Sequence, residues 1–200
     1  MINYKIEQAI ARIIVVTSLA FVLGMPGYCT AQMPEPTSPG AWRFGTEVDV
    51  LPYAMKGYYA SAFAGRDATR LRMVIARSDM PSFMVKDGFK DKRSEAYALL
   101  VDRFFGARRK EMQGMWVGGG GEYWRTSIRT DASPALAHYD NTMLTLGGGY
   151  VFRLSRHVYV NPWSAGHLVV GGNRNIAVSG ETYVQPRFTT EASIKVGFVF

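Results

Sequence analysis

Ser164 and His167 are the residues whose types could do covalent chemistry, since a hydroxyl beside an imidazole, oriented by a carboxylate, makes an activated nucleophile. They lie in the run Asn161-Pro162-Trp163-Ser164-Ala165-Gly166-His167. On an extended strand a spacing of three turns the two side chains to opposite faces. The pair therefore needs Pro162 to introduce a bulge that resets the parity. The expectation is a polar, aromatic-lined stretch with a bulge rather than a catalytic dyad. Metal chemistry has less support. His157 and His167, ten residues apart, stand about 33 Å from each other on an extended strand, and His138 falls in a connection. No metal site and no cofactor is expected. Gly118 to Gly121 imitates a phosphate-binding loop, but no helix follows to present its N-terminus.

A second group is basic. Lys86, Lys90, Lys92 and Arg93 are interleaved with Asp87, Asp91 and Glu95. They are expected in one long connection, as phosphate contacts or as a solvated mixed-charge loop.

The elements that must hold these residues show in the hydrophobic pattern. From Glu191 to Phe200 it alternates without exception, with Ala192, Ile194, Val196, Phe198 and Phe200 on one face and Glu191, Ser193 and Lys195 on the other. A period of two with one polar face is a β-strand between two different environments. Trp42 to Val50 and Arg70 to Ala76 repeat the division. Eight strands are read near 42–51, 57–66, 69–78, 95–105, 114–128, 139–153, 157–170 and 188–200. Asp91 to Phe105 also fits one face of a helix, but an even strand count favours a strand. The connections at 67–68 and 154–156 are tight, and that at 106–113 is modest. Those at 79–94, 129–138 and 171–187 are long, and only 52–56 is short on that side.

Composition limits the alternatives. The chain has 200 residues, 48% hydrophobic and 20% charged, with 21 glycines and a formal charge of +7. That content argues against disorder, and a lone Cys29 excludes an intrachain disulfide. Beyond the N-terminus no apolar run reaches the roughly 18 residues of a membrane helix. Residues 1–31 read as an export signal: Lys5 and Arg12 precede an apolar stretch from Ile13 to Leu23, and Cys29-Thr30-Ala31 supplies small residues for cleavage. Cleavage after Ala31 removes the cysteine and takes the formal charge to +6. An exported basic protein meets anionic lipid rather than nucleic acid. Residues 32–40, with three prolines, read as a linker, and 41–200 as the folded domain.

The terminal strand, with Phe200, Phe198, Val196 and Ile194 behind an export signal, resembles the closing strand of outer-membrane β-barrel proteins. The general resemblance is to the OmpA/OmpX and OmpW types, with no close individual match. It implies an all-β, eight-stranded, antiparallel up-and-down barrel in a Gram-negative outer membrane. It also implies that the terminal phenylalanine is read by the outer-membrane assembly machinery. The expected function is non-enzymatic: a monomeric surface barrel whose loops contact envelope lipids, lipopolysaccharide or external partners. One alternative is a lipid-A-modifying hydrolase or acyltransferase using Ser164 and His167. Another is a soluble periplasmic, lipocalin-like barrel, which would need an apolar interior.

Strand parity then assigns an interior. Glu47, Asp49, Asp102, Glu122 and Glu191 turn inward, against Arg43, Arg70, Arg72 and Lys195, with His157 and His167 joining when protonated. Near balance of charge in a lumen that side chains can fill implies an ion-pair network and no open pore.

Overall fold

The computed structural model describes residues 40–200, so the export signal, Cys29 and the linker up to residue 39 lie outside the described residues. Eight strands close a barrel: β1 (Trp42–Asp49), β2 (Tyr58–Arg66), β3 (Thr69–Asp79), β4 (Phe89–Phe104), β5 (Gly114–Thr130), β6 (Ala137–Arg153), β7 (Val158–Gly172) and β10 (Phe188–Val199). Each pairs antiparallel with its neighbours in sequence, β8 and β9 being a separate hairpin, and β1 closes the ring against both β2 and β10. Closure leaves no sheet edge, which is what allows strands to sit in hydrocarbon with every ladder bond made.

Side-chain placement inverts that of a soluble domain. Phe44, Leu71, Met73, Leu99, Leu146 and Ile194 point outward and exposed, whereas Glu47, Arg70, Asp102 and Lys195 are buried in the lumen. Charged groups inside and an apolar belt outside are the arrangement of a bilayer-spanning barrel. The segment expected as strand or helix at 91–105 is strand through Phe104: Tyr97, Leu99 and Val101 face out while Ala98, Leu100 and Asp102 face in.

Three features differ from the expected layout. First, β1 stops at Asp49, whose carboxylate caps a short helix, α1 (Val50–Ala54), by accepting from Leu51 N at 3.0 Å. Second, β4 begins at Phe89, so Lys90, Lys92 and Arg93 lie in a strand and not in a loop. A register shift between Lys90 and Arg93, with Asp91 at φ 52°, is a bulge there. It reverses the parity so that both Phe89 and Lys92 point inward. Third, the last long connection contains a hairpin of β8 (Asn175–Val178) and β9 (Glu181–Val184). Ser179 and Gly180, both at positive φ, form its two-residue turn. Ile176, Val178 and Tyr183 of this hairpin pack on Phe89, Ile128 and Tyr139 and cap the barrel mouth.

At the other end Phe63, Phe104, Met112, Trp116, Val151 and Tyr159 close the lumen. Tyr159 lies flat over Gly197, where a Cβ would overlap its ring. Gly121, by contrast, faces outward with open space around it. Gly197→Ala should therefore destabilise the barrel by about 1–3 kcal/mol through overpacking. Gly121→Ala should be neutral or slightly stabilising, because alanine loses less chain entropy on folding. Reversible urea unfolding in lipid vesicles measures both.

Candidate functional site: the lumen and the lipid-facing rim

The centre of the lumen is a four-charge cluster built by β1, β3 and β4. Arg70 donates from Nη1 to Glu47 at 2.9 Å and from Nε to Asp102 at 2.8 Å. Arg72 reaches the same two carboxylates, with Nη2 3.1 Å from Asp102 Oδ1 and Nη1 3.6 Å from Glu47 Oε2. Both acids are fully shielded and the arginines nearly so. Such charges are tolerable only with partners on most sides. Glu47 also accepts from Tyr159 Oη at 2.8 Å and Asn161 Nδ2 at 3.2 Å. Asn161 accepts in turn from Trp116 Nε1 at 2.9 Å. Phe63, Phe104 and Trp116 place their rings 5.0–5.7 Å from the Arg70 guanidinium. Tyr159 and Asn161 of β7 thus complete the acceptance at Glu47, and Trp116 of β5 holds Asn161 in place.

Towards the mouth the groups separate into two smaller sets. Asp49 accepts from Ser193 Oγ at 2.5 Å, from Trp163 Nε1 at 2.6 Å and from Leu51 N. Lys195 lies over the Trp163 ring, 3.4 Å from its centroid. His167 sits between two carboxylates, with Nδ1 3.3 Å from Glu122 and Nε2 3.3 Å from Glu191. Nδ1 is also 2.8 Å from Thr145 Oγ1, and Trp124 Nε1 donates to Glu122 at 2.6 Å. Arg43 and Arg153 are at the opposite end, both donating to the Glu111 carbonyl and tying the 109–111 turn under the barrel. His157 does not join the lumen. It stands just before β7, stacks on the outward Phe198 and bonds the Val199 carbonyl.

Ser164 and His167 do not meet. Pairing of β7 with β10 runs in one register through Pro162, so there is no bulge and the parity is not reset. Ser164 is exposed on the outer face, and His167 is buried inside. Proline is accommodated because β6–β7 pairing lapses at this point, between the pairs Gly149–Trp163 and Phe152–Val160, without a change of register.

The basic group is also dispersed. Lys86 is exposed in the 80–88 connection. Lys90 donates to the Asp131 carbonyl at 2.9 Å. Lys92 is buried beneath the hairpin cap, bonded to Tyr183 Oη at 3.0 Å and Gln185 Oε1 at 3.2 Å. Arg93 faces outward and holds Asp79 with Nε at 2.7 Å and Nη2 at 3.0 Å.

Outward Arg93 belongs to a larger pattern. Cross-strand register aligns Arg77 with Glu95, Glu95 with Arg125, and Arg125 with Asp140. Two residues nearer the belt centre along β4 and β5, Tyr97 faces Tyr123 directly. Tyr58 is exposed on β2, paired with Arg77. An aromatic girdle bordered by a row of alternating charge marks the depth where hydrocarbon gives way to head groups. Charges one step beyond the tyrosines can reach lipid phosphates without entering the acyl layer.

Removing Asp102 would leave Arg70 and Arg72 with one shared carboxylate, Glu47, between them. Asp102→Ala should therefore cost about 3–5 kcal/mol. Replacing the outward Glu95 by alanine should cost less than about 1 kcal/mol. Urea unfolding of the two variants in vesicles gives the comparison.

No family model and no curated protein matches the sequence. Solved structures do. The N-terminal β-barrel domain of Pseudomonas aeruginosa OprF superposes with a TM-score of 0.52 at 14% identity, covering 81% of this chain and 98% of that one. A major outer membrane protein from Thermus thermophilus gives a TM-score of 0.50 at 9% identity, covering 80% and 100%. The fold of this chain is that of the small outer-membrane β-barrels.

Proposed function

We propose that the protein is an integral outer-membrane barrel, monomeric and non-enzymatic, whose rim binds the phosphates of surface lipopolysaccharide. The observation that carries this reading is the outward row Arg77, Glu95, Arg125 and Asp140 bordering Tyr58, Tyr97 and Tyr123. Arginine at that depth can pair with phosphate bidentately, and the interleaved acids suit the divalent cations that bridge neighbouring phosphates. Lys86 and Arg93 extend the row. Lys92 does not, because its ammonium is committed to Tyr183 and Gln185 inside the cap.

The closed lumen supports a surface role over conduction, since the ion cluster and its aromatic surround fill the barrel below the mouth. The exposed Phe198 and Phe200 at the end of β10 suit recognition by the assembly machinery. Phe200 N donates to the Phe44 carbonyl at 3.0 Å, holding the C-terminus against β1.

Cell fractionation should recover the protein with the outer membrane, and an unheated sample should migrate differently from a boiled one on a denaturing gel. Soluble recovery with no mobility shift would refute membrane insertion. For the rim, each basic residue near an anionic surface contributes about 1 kcal/mol. The triple variant Arg77→Glu, Arg93→Glu, Arg125→Glu should reduce co-purifying lipopolysaccharide about tenfold or more, with the mobility shift retained. Equal retention by the folded variant would contradict lipid binding at the rim.

A further inference from the structure

Between the ion cluster and α1 the lumen contains a chamber of about 90 Å³. Arg72 and Trp116 line it below, and Leu51, Pro52 and Met55 of the α1 segment line it above. By the volume one water-sized sphere needs, that is room for about six to nine heavy-atom positions. Its walls are unlike one another. On the β3 and β4 side the inward residues are small and apolar, among them Val74, Ala76 and Ala98. Trp163, Ser193 and Lys195 supply the facing wall.

Lys195 is the exceptional group. Two cations point into the chamber, and one has a carboxylate partner: Arg72 has Asp102 at 3.1 Å. Lys195 is 1% exposed, yet its ammonium makes no hydrogen bond or ion pair with any described residue. Its direct contacts are the faces of Trp163 and Tyr59, while Glu47, Asp49 and Glu191 attract it from beyond ion-pair distance. The nearest acid in register, Asp49, is already occupied by Ser193, Trp163 and Leu51 N. The other two acids of the chamber wall, Glu122 and Glu191, are both turned to His167. A buried ammonium without an acceptor is costly, and an anionic acceptor returns the strongest hydrogen bond available. The opposite wall offers apolar contact and no second cation without a partner.

We infer that this chamber is a binding site for a small amphipathic monocarboxylate, its carboxylate on Lys195 and its short apolar body against Val74, Ala76 and Ala98. Size restricts the ligand to a short-chain acid. A full-length acyl chain does not fit, and a dicarboxylate would bring a second charge to the apolar wall. The inference goes beyond the rim reading and is independent of it, because the chamber and the outer row share no side chain that Lys195 requires.

The test is a titration of the full-length protein, extracted from membranes in detergent, with hexanoate, 1-hexanol and hexylammonium as probes. Trp116, Trp124 and Trp163 line the chamber, so intrinsic fluorescence reports occupancy. Hexanoate should give a saturable change, with 1-hexanol at least tenfold weaker and hexylammonium giving none. Lys195→Met should abolish the saturable response. Ala98→Trp, which keeps Lys195 and fills the chamber from the apolar side, should abolish hexanoate protection of Lys195 from amine-modifying reagent. The mobility shift of unheated samples confirms that each variant is folded. No saturable response in folded wild type, equal responses to hexanoate and hexanol, or an undiminished response in folded Lys195→Met would each overturn the site.

Discussion

An ionised carboxylate or guanidinium cannot face hydrocarbon at acceptable cost, and the rest of this barrel follows from where such groups are placed. Arg70 is the clearest case. It is buried, and it reaches Glu47 on β1 and Asp102 on β4 simultaneously. Arg70 also donates to Tyr159 Oη at 3.4 Å, on β7, four strands from β3 in either direction, a contact across the lumen that the sheet makes by curling fully round. Closure, in turn, pairs every strand and removes the edges that a bilayer would penalise. The cluster and the closed ring therefore require each other. Bulky aromatics fill the remaining space at the closed end.

The two faces of each strand divide the work. Outward positions match the bilayer in depth: apolar at the centre, tyrosine at the border, then alternating charge at Arg77, Glu95, Arg125 and Asp140. Inward positions grade from the tightly paired cluster, through the lightly packed chamber at Lys195, to the apolar cap formed by Ile176, Val178 and Tyr183. The long strands β4 to β7 carry this gradation beyond the membrane. A strand needs only about 9–11 residues to cross, while β5 and β6 each have 17. The surplus builds the wall on which the hairpin cap rests.

Much of this was legible in the order of residues. Unbroken alternation from Glu191 to Phe200 reveals both the strand and its outward face, and parity turns Glu47, Asp102 and Glu122 inward. Pairing was not legible, because which inward acid meets which base depends on strand stagger, a property of closure rather than of any one strand. Lys92 departs from the loop expectation for a local reason: the bulge at Asp91 reverses parity, and a charged run resembles a loop. The hairpin at 175–184 had a signal, Ser179-Gly180 between the apolar pairs Ile176, Val178 and Tyr183, Val184. Its four-residue strands were too short to stand out against a long connection. The chamber had none, since alanine at positions 76 and 98 carries no message until opposite walls are known.

The central claim is that the apolar face of every strand meets lipid and the charged face meets the lumen. Single cysteines at positions 192 to 196, 198 and 199, in a background with Cys29 replaced, test it after nitroxide labelling and insertion into vesicles. Collision with oxygen dissolved in the acyl layer should rise at 192, 194, 196 and 198 and fall at 193, 195 and 199, a period of two along β10. A uniform profile, or the same period with its phase reversed, would contradict the account.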